Sequence, residues 1–256
     1  MEFNDFKVKV MATFRLDLNS YKEKQLRRRL DSYLVKLKLN NYGDLFQQLV
    51  KKRDTYEKFL DYLTINVSEF FRDAQRFDDL QKKYLPALYS GRNQVKIWSA
   101  ACSNGSEPYS IAIILEEMGL SGRSKIDATD IDRQILKKAV DAKYGKDSIK
   151  NVSRDRLERF FSEQVELYVL KDIIKRQVSF HYHNLLAHDY KKGYDLIVCR
   201  NVTIYFTREA QDEIYRQFTL SLNPGGVLFI GGSEMIFNYK ELGYKKLSPC
   251  FYKKEN

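Results

Sequence analysis

KIWSAACSNGSEPYSIAIIL, residues 96–115, changes its hydrophobic period halfway along. Residues 95–101 form a short apolar run that ends in small side chains, the pattern of a buried parallel strand running into a loop. Ser103, Asn104, Gly105 and Ser106 are turn formers, and Pro108 suits a first helical turn. Ile111, Ile114, Leu115 and Met118 then recur at helical spacing. Strand, small-residue loop and helix in that order make the ligand-binding corner of an open α/β sheet, where loop backbone and helix N-terminus meet a nucleotide-like molecule.

The corner alone leaves the ligand open. It carries neither GxGxxG nor GxxxxGK[ST], and Gly105 by itself cannot wrap a triphosphate. Glu107 stands at the helix entrance, where a carboxylate repels phosphate and can face a cationic or hydroxyl-bearing ligand. S-adenosylmethionine is such a ligand. Favourable interaction of Glu107 with the dipole of its own helix is the other reading of the same residue.

A chain of 256 residues, 43% apolar and 14% aromatic, can bury one large domain or one with a small partner. No apolar run approaches a membrane span, and the N-terminal MEFNDFKVKVMATF has no signal-peptide core. A soluble, cytoplasmic protein without direct membrane insertion is expected. Cys102, Cys199 and Cys250 are odd in number and far apart, which predicts reduced, buried thiols. The net charge of +10 predicts an acidic partner. It is concentrated in residues 22–38, where Lys22, Lys24, Arg27, Arg28, Arg29, Lys36 and Lys38 face only Glu23 and Asp31.

Residues 6–85 read as short helices. In 21–39 the apolar positions Leu26, Leu30, Tyr33, Leu34 and Leu37 form one stripe, with Lys24, Arg27, Arg28 and Lys38 on the other side. Residues 42–49 and 55–63 are two further helices. TINVSEFFRD, residues 64–73, connects this helical unit to a second one, with a helix over 78–88 before the central strand. Downstream, KIDAT (125–129) is a second strand. It ends at Asp130, 25 residues after Gly105, either to bond a ribose diol or to cap the helix that begins at Arg133. Residues 152–176 read as an insertion. A strand at 178–182 follows, and His181, His183 and His188 read as ordinary partly buried or surface histidines, so no metal is expected. In YDLIVCRNVTIYF (194–206) a buried strand ends in Arg200 and Asn201, polar groups at the sheet's carboxyl edge. A helix over 208–222, an Asn-Pro-Gly-Gly turn at 223–226, a strand at 227–230 and a closing segment at 244–254 complete the alternation.

TINVSEFFRD, KIWSAACSNGSEPYSIA, ATDID, NLL, YDLIVCRNVTIYF and LNPGGVLFIGGSE, in this order, resemble the chemotaxis receptor methyltransferases, the CheR family, over nearly the whole chain. The resemblance implies a Rossmann-like α/β methyltransferase domain using S-adenosylmethionine, at residues 76–256, with a small antiparallel insertion. A helical N-terminal receptor-docking domain and linker occupy 1–75. It also implies esterification of glutamate side chains on the cytoplasmic methylation helices of chemoreceptors, with S-adenosylhomocysteine as product, by a monomer. Cofactor contacts are implied at Asn66, Ser68, Arg72, Glu107, Asp130, Asn184, Leu185, Arg200 and Asn201. Ser68 replaces a common threonine and keeps the hydroxyl, and Ser106 stands where glutamate is frequent. The glycine-bearing loop with which some members grip a receptor's C-terminal tether looks short or absent.

That reaction needs no general base, because a glutamate with pKa near about 4.3 is already an anionic nucleophile at neutral pH. Arg72 and Tyr205 are the residues expected to orient it, and Lys24, Arg27 and Arg28 those expected to dock an acidic receptor helix. Two rival readings are a nucleic-acid methyltransferase and a non-enzymatic binding module. The first is expected to carry a motif such as [ND]PP[YF] where this chain has CRNVTIY, so nucleic acid is not the expected partner.

Overall fold

A computed structural model describes residues 1–64 and 68–255. Helices α1 (Phe3–Phe14), α2 (Glu23–Leu37), α3 (Tyr42–Lys51) and α4 (Arg53–Leu63) form the N-terminal unit. In α2 the stripe Leu26, Leu30, Tyr33 and Leu34 is buried while Lys24, Arg27 and Arg28 are exposed, the separation that the spacing predicts. Helix α1 has no separate counterpart in the sequence reading, although Phe3, Phe6 and Val10 recur at helical spacing and are buried. The Asn41 side chain caps α3 by accepting from the Gly43 and Asp44 amides. Phe6, Leu30, Leu45 and Phe59 are the fully buried centre of this unit's own core.

Phe70 and Phe71 are buried in a second core, that of the sheet. Helices α5 (Ala74–Asp79) and α6 (Leu85–Tyr89), joined by a π-helical turn at Leu80–Tyr84, make one run that starts four residues before the expected helix. There follow β1 (Val95–Ala100), α7 (Ser106–Glu117), β2 (Ser124–Asp130) and α8 (Arg133–Asp141). β3 (Lys143–Tyr144), α9 (Lys146–Ile149), α10 (Arg154–Phe160), β4 (Phe161–Gln164), β5 (Leu167–Leu170) and α11 (Asp172–Lys175) come next. The chain closes with β6 (Val178–Tyr182), β7 (Tyr194–Cys199), α12 (Arg208–Ser221), β8 (Leu222–Ile230), β9 (Tyr244–Ser248) and β10 (Phe251–Lys254).

The main sheet has the order β6-β2-β1-β7-β8-β10-β9, its first five strands pairing in parallel and β10 running antiparallel to both of its neighbours. Successive side chains of a strand point to opposite faces, and here both faces are covered. Ile97, Leu196, Val198 and Phe229 join Ile111 and Ile114 of α7 on one side. Trp98, Ile197, Leu228 and Ile230 join Ile214 and Phe218 of α12 on the other. Each such side chain contributes about 1.5–3 kcal/mol by leaving water. All three cysteines are buried and free.

Two expectations are corrected, and one strand end is placed. β7 ends at Cys199, just before the expected Arg200 and Asn201, because Asn201 adopts a left-handed conformation (φ 61°) that leaves the sheet, and Thr203–Tyr205 is a single 3-10 turn. Asn-Pro-Gly-Gly lies inside β8 as an irregularity: the pairing with β7 shifts register between Tyr194 and Leu196, and Gly225 has φ 74°. The inserted sheet recruits β3, upstream of residue 152, in the antiparallel order β3-β5-β4. Its Tyr144 and Phe161 rings pack edge-on against Phe70, at 4.8 and 5.2 Å.

Candidate active site

In the main sheet, connections leave β1 toward β2 on one side while β7 lies on the other, so the carboxyl ends of β1 and β7 bound a topological switch point. Two adjoining cavities open there, of about 410 and about 120 Å³. Ala101, Ser103, Asn201, Val202 and Tyr205 line both. Ala101, Ser103 and Asn201 have φ of 59°, 51° and 61°, so the junction is built from backbone in the costly left-handed region.

The smaller cavity is polar. Ser68, Arg72, Glu107, Arg200 and Asn201, all predicted from sequence, line it together with Glu69, which pairs with Lys150 at 2.6 Å. Arg200 keeps only 2% of its side chain exposed. Its Nη2 donates to the Asp73 carboxylate (2.5 Å) and the Arg72 carbonyl (2.8 Å), and Nη1 lies 3.7 Å from Glu107. The guanidinium stacks over Phe77 and Phe229, and Nε is buried without a partner among the described residues. Glu107 turns back toward the sheet and accepts from the Ser99 hydroxyl at 2.8 Å. Burial raises its pKa, opposed by Arg200. The arrangement is a recessed carboxylate over a buried cation, held ready for a positive group.

The larger cavity receives Asp130, Asn184, Leu185, Asn201 and Tyr205 from the sheet unit and Gln25, Arg28, Arg29 and Ser32 from one face of α2. Asp130 accepts from the Ser103 amide (2.8 Å) and the Asp132 amide (2.9 Å), and burial pushes its pKa up to about 6. The cap of α8 is Asp132, bonded to the Gln134 and Ile135 amides, which leaves Asp130 to the cavity wall. Asn184 is buried and accepts from the Leu186 amide at 3.0 Å. Burial lowers His183 to about 4, so it is neutral at physiological pH. Asn66 lies outside the described residues. Of the three basic residues expected to dock a partner, Arg28 lies on the cavity wall, whereas Lys24 and Arg27 face solvent beyond it.

Sequence reasoning missed three contributors. Tyr21, between α1 and α2, lines the larger cavity and packs edge-on against Phe206 at 5.0 Å. Neighbouring backbone bonds, Lys22 amide to Tyr205 carbonyl (2.9 Å) and Thr207 amide to Ser20 carbonyl (2.8 Å), tie the helical unit to the catalytic edge. Arg29 belongs to the basic run but is spent internally: Nε donates to the Tyr62 carbonyl at 2.7 Å and the guanidinium covers the Tyr62 ring. Glu234, after β8, is only 6% exposed and accepts from the amides of Asn201, Val202, Thr203 and Gly231. The GGSE segment that carries it is legible as a family block, but nothing local says that it reaches 33 residues back in the chain.

The family model described as "CheR methyltransferase, SAM binding domain" matches residues 66–249, and that described as "CheR methyltransferase, all-alpha domain" matches 1–64. The chain belongs to the CheR methyltransferase family. It is 42% identical over 238 residues to a chemotaxis protein methyltransferase of Listeria monocytogenes, covering 93% of this chain and 91% of the relative. It is 34% identical over 245 residues to chemotaxis protein methyltransferase 1 of Vibrio cholerae, covering 92% and 89%. With the Salmonella typhimurium chemotaxis protein methyltransferase it shares 34% over 231 residues, covering 86% and 79%.

For a CheR enzyme, which uses S-adenosylmethionine, the donor set suits the cofactor. Glu107 can accept from an ammonium in the small polar cavity, and the Asp130 carboxylate can accept from ribose hydroxyls. Ile131 and Leu185 offer apolar walls to a purine in the larger cavity. Arg200, whose Nε is buried without a partner among the described residues, gives the smaller cavity a polar wall.

Proposed function

We propose that the protein transfers the methyl group of S-adenosylmethionine to glutamate side-chain carboxylates on chemoreceptor methylation helices, giving glutamyl methyl esters. The observation that carries this reading is that the basic helix and the cavity are continuous: Arg28 of α2 lies on the wall that also holds Tyr205 and Asn201. An acidic helix attracted to Lys24, Arg27 and Arg28 is thereby delivered beside the site of transfer. The names of the relatives, chemotaxis protein methyltransferases, agree with a chemoreceptor as acceptor.

When bound, S-adenosylmethionine supplies an electrophilic methyl group on a sulfonium. This chain then has to hold its two partners in line, which is catalysis by positioning. Glu107 and Arg72 bind the amino-acid end, with Ser68 beside them, and Asp130, Asn184 and Leu185 bind the nucleoside. Arg200 fixes Glu107 and the segment at Arg72–Asp73 from below. Tyr205 sits where the cavities meet and donates to the incoming carboxylate, orienting one oxygen toward the reacting carbon. The helical unit, closed onto the sheet edge through Tyr21 and Lys22, excludes water from that junction.

The test is transfer of labelled methyl to membranes containing chemoreceptors, read as methanol released by base, with duplex DNA and RNA as parallel acceptors. Base-labile label on receptor is expected, with kcat reduced in Tyr205→Phe and Arg72→Ala. Base-stable label, or label on nucleic acid, contradicts the acceptor. Unchanged turnover in either variant removes that residue's role.

A further inference from the structure

The amides of three consecutive residues, Asn201, Val202 and Thr203, converge on one side of the loop after β7. Asn201 is left-handed (φ 61°) and Val202 is in the right-handed region (φ −117°, ψ −51°). Successive amides in such a conformation form a nest that binds an anion. Here the anion is internal. Oε2 of Glu234 accepts from Asn201 (2.9 Å) and Gly231 (2.7 Å), and Oε1 accepts from the Val202 amide (2.9 Å), the Thr203 amide (2.8 Å) and the Thr203 hydroxyl (2.8 Å). Gly231 leaves the room for it, since a Cβ there would come within 2.9 Å of both the Asn201 nitrogen and Oε2. Tyr215 extends the network through the Thr203 hydroxyl at 2.7 Å.

The loop so held supplies Asn201 and Tyr205, both of which line both cavities. We propose that Glu234 is a positioning residue for the cofactor site. By filling the nest with its own carboxylate it fixes Asn201 and Tyr205 across the junction, and it denies the nest to the carboxylate of the cofactor's amino-acid end, which would otherwise be drawn there and out of register. Hydrogen bonds to a charged acceptor are roughly twice as strong as neutral ones, which is why one side chain can hold a costly backbone conformation. The inference rests on binding of S-adenosylmethionine by this domain and is independent of which acceptor is methylated.

The experiment is calorimetric titration of S-adenosylhomocysteine into the full chain and into Glu234→Ala and Glu234→Gln, with and without sodium formate, alongside amide hydrogen exchange over 201–203. No methyl acceptor is involved, so failure of the glutamate reading cannot be confused with failure here. Glu234→Ala is expected to bind about tenfold or more weakly, the scale of losing a charge-assisted contact. It is expected to lose amide protection at 201–203, and to recover both saturably as formate enters the nest. Formate leaves the wild type unchanged. If Glu234→Ala does not fold, Glu234→Gln decides, because its single acceptor oxygen cannot serve all five donors and a several-fold loss is expected. Wild-type affinity in either folded variant, or a loss in Glu234→Ala that formate leaves untouched, overturns the proposal.

Discussion

The loop after β1 and the loop after β7 meet at the same corner and both use left-handed residues, yet they are held by different means. The first is secured partly by near neighbours and partly by several separate contacts. Asn104 accepts from the Ser106 amide and hydroxyl, Gly105 takes φ 83° against Tyr109 and Ala139, and Asp130, Thr129 and the Tyr144 hydroxyl each make one bond to the loop from outside. The second has its amides bound to Glu234, which arrives from beyond the next strand. A loop braced locally can be read from its own residues, whereas one braced from a distance cannot.

The largest expected effect breaks the first loop's chemistry without disturbing its backbone. Glu107→Gln removes the charge facing the cofactor's ammonium and leaves Arg200 with one ion-pair partner fewer. S-adenosylhomocysteine affinity is expected to fall by about a hundredfold, given about 1.5–3 kcal/mol for a hydrogen bond to a charged group. Calorimetry checks this, and a loss under threefold would mean that the ammonium lies elsewhere.

A pair of glycine substitutions sharpens the contrast. In Gly231→Ala the new Cβ crowds the Asn201 nitrogen and the Glu234 carboxylate at 2.9 Å, so cofactor affinity should drop by about tenfold. Gly105→Ala strains a positive φ and meets Ala139 at 3.0 Å, which should appear chiefly as about 1–3 kcal/mol of lost stability in denaturant titration. Gly122→Ala meets nothing within 4 Å and serves as the control.

The sequence carried most of this architecture because most of it is periodic. The buried stripe of α2, the continuous apolar runs of β1 and β7 and the change of period at Ser103 each follow from local patterning, and they place Glu107 at a helix entrance and Asp130 and Asn201 at strand ends. What could not be read depends on contacts made only after folding. Arg29 looks like the rest of its basic run until the Tyr62 carbonyl takes it, and Tyr21 looks like a linker aromatic until Phe206 meets it. The turn at Thr203–Tyr205 was hidden for the same reason, since the Glu234 carboxylate that binds the amides of 201–203 comes from beyond the next strand.

Asp130 offers a smaller effect with a defined sign. Its pKa of about 6 belongs to the cofactor-free protein, and hydroxyls that donate to the ionised form lower it on binding. Affinity is therefore full above about pH 6 and falls as pH drops through that value. In Asp130→Asn this inflection should vanish, and calorimetry between pH 5 and 8 would show whether it does. The smallest effect is expected on the outer face of α2. Lys24→Glu and Arg27→Glu lie beyond the cavity, so they should raise the receptor KM several-fold at low ionic strength, less so in salt, and leave cofactor affinity alone. A receptor KM unchanged by charge reversal would remove this helix from docking.

The most direct measurement is a crystal structure of the complex with S-adenosylhomocysteine. The account predicts the amino-acid end in the smaller cavity with its ammonium on Glu107, the ribose on Asp130, the base against Leu185, and the sulfur at the junction beside Asn201 and Tyr205. A nucleoside in the smaller cavity, or a sulfur remote from Tyr205, would contradict it.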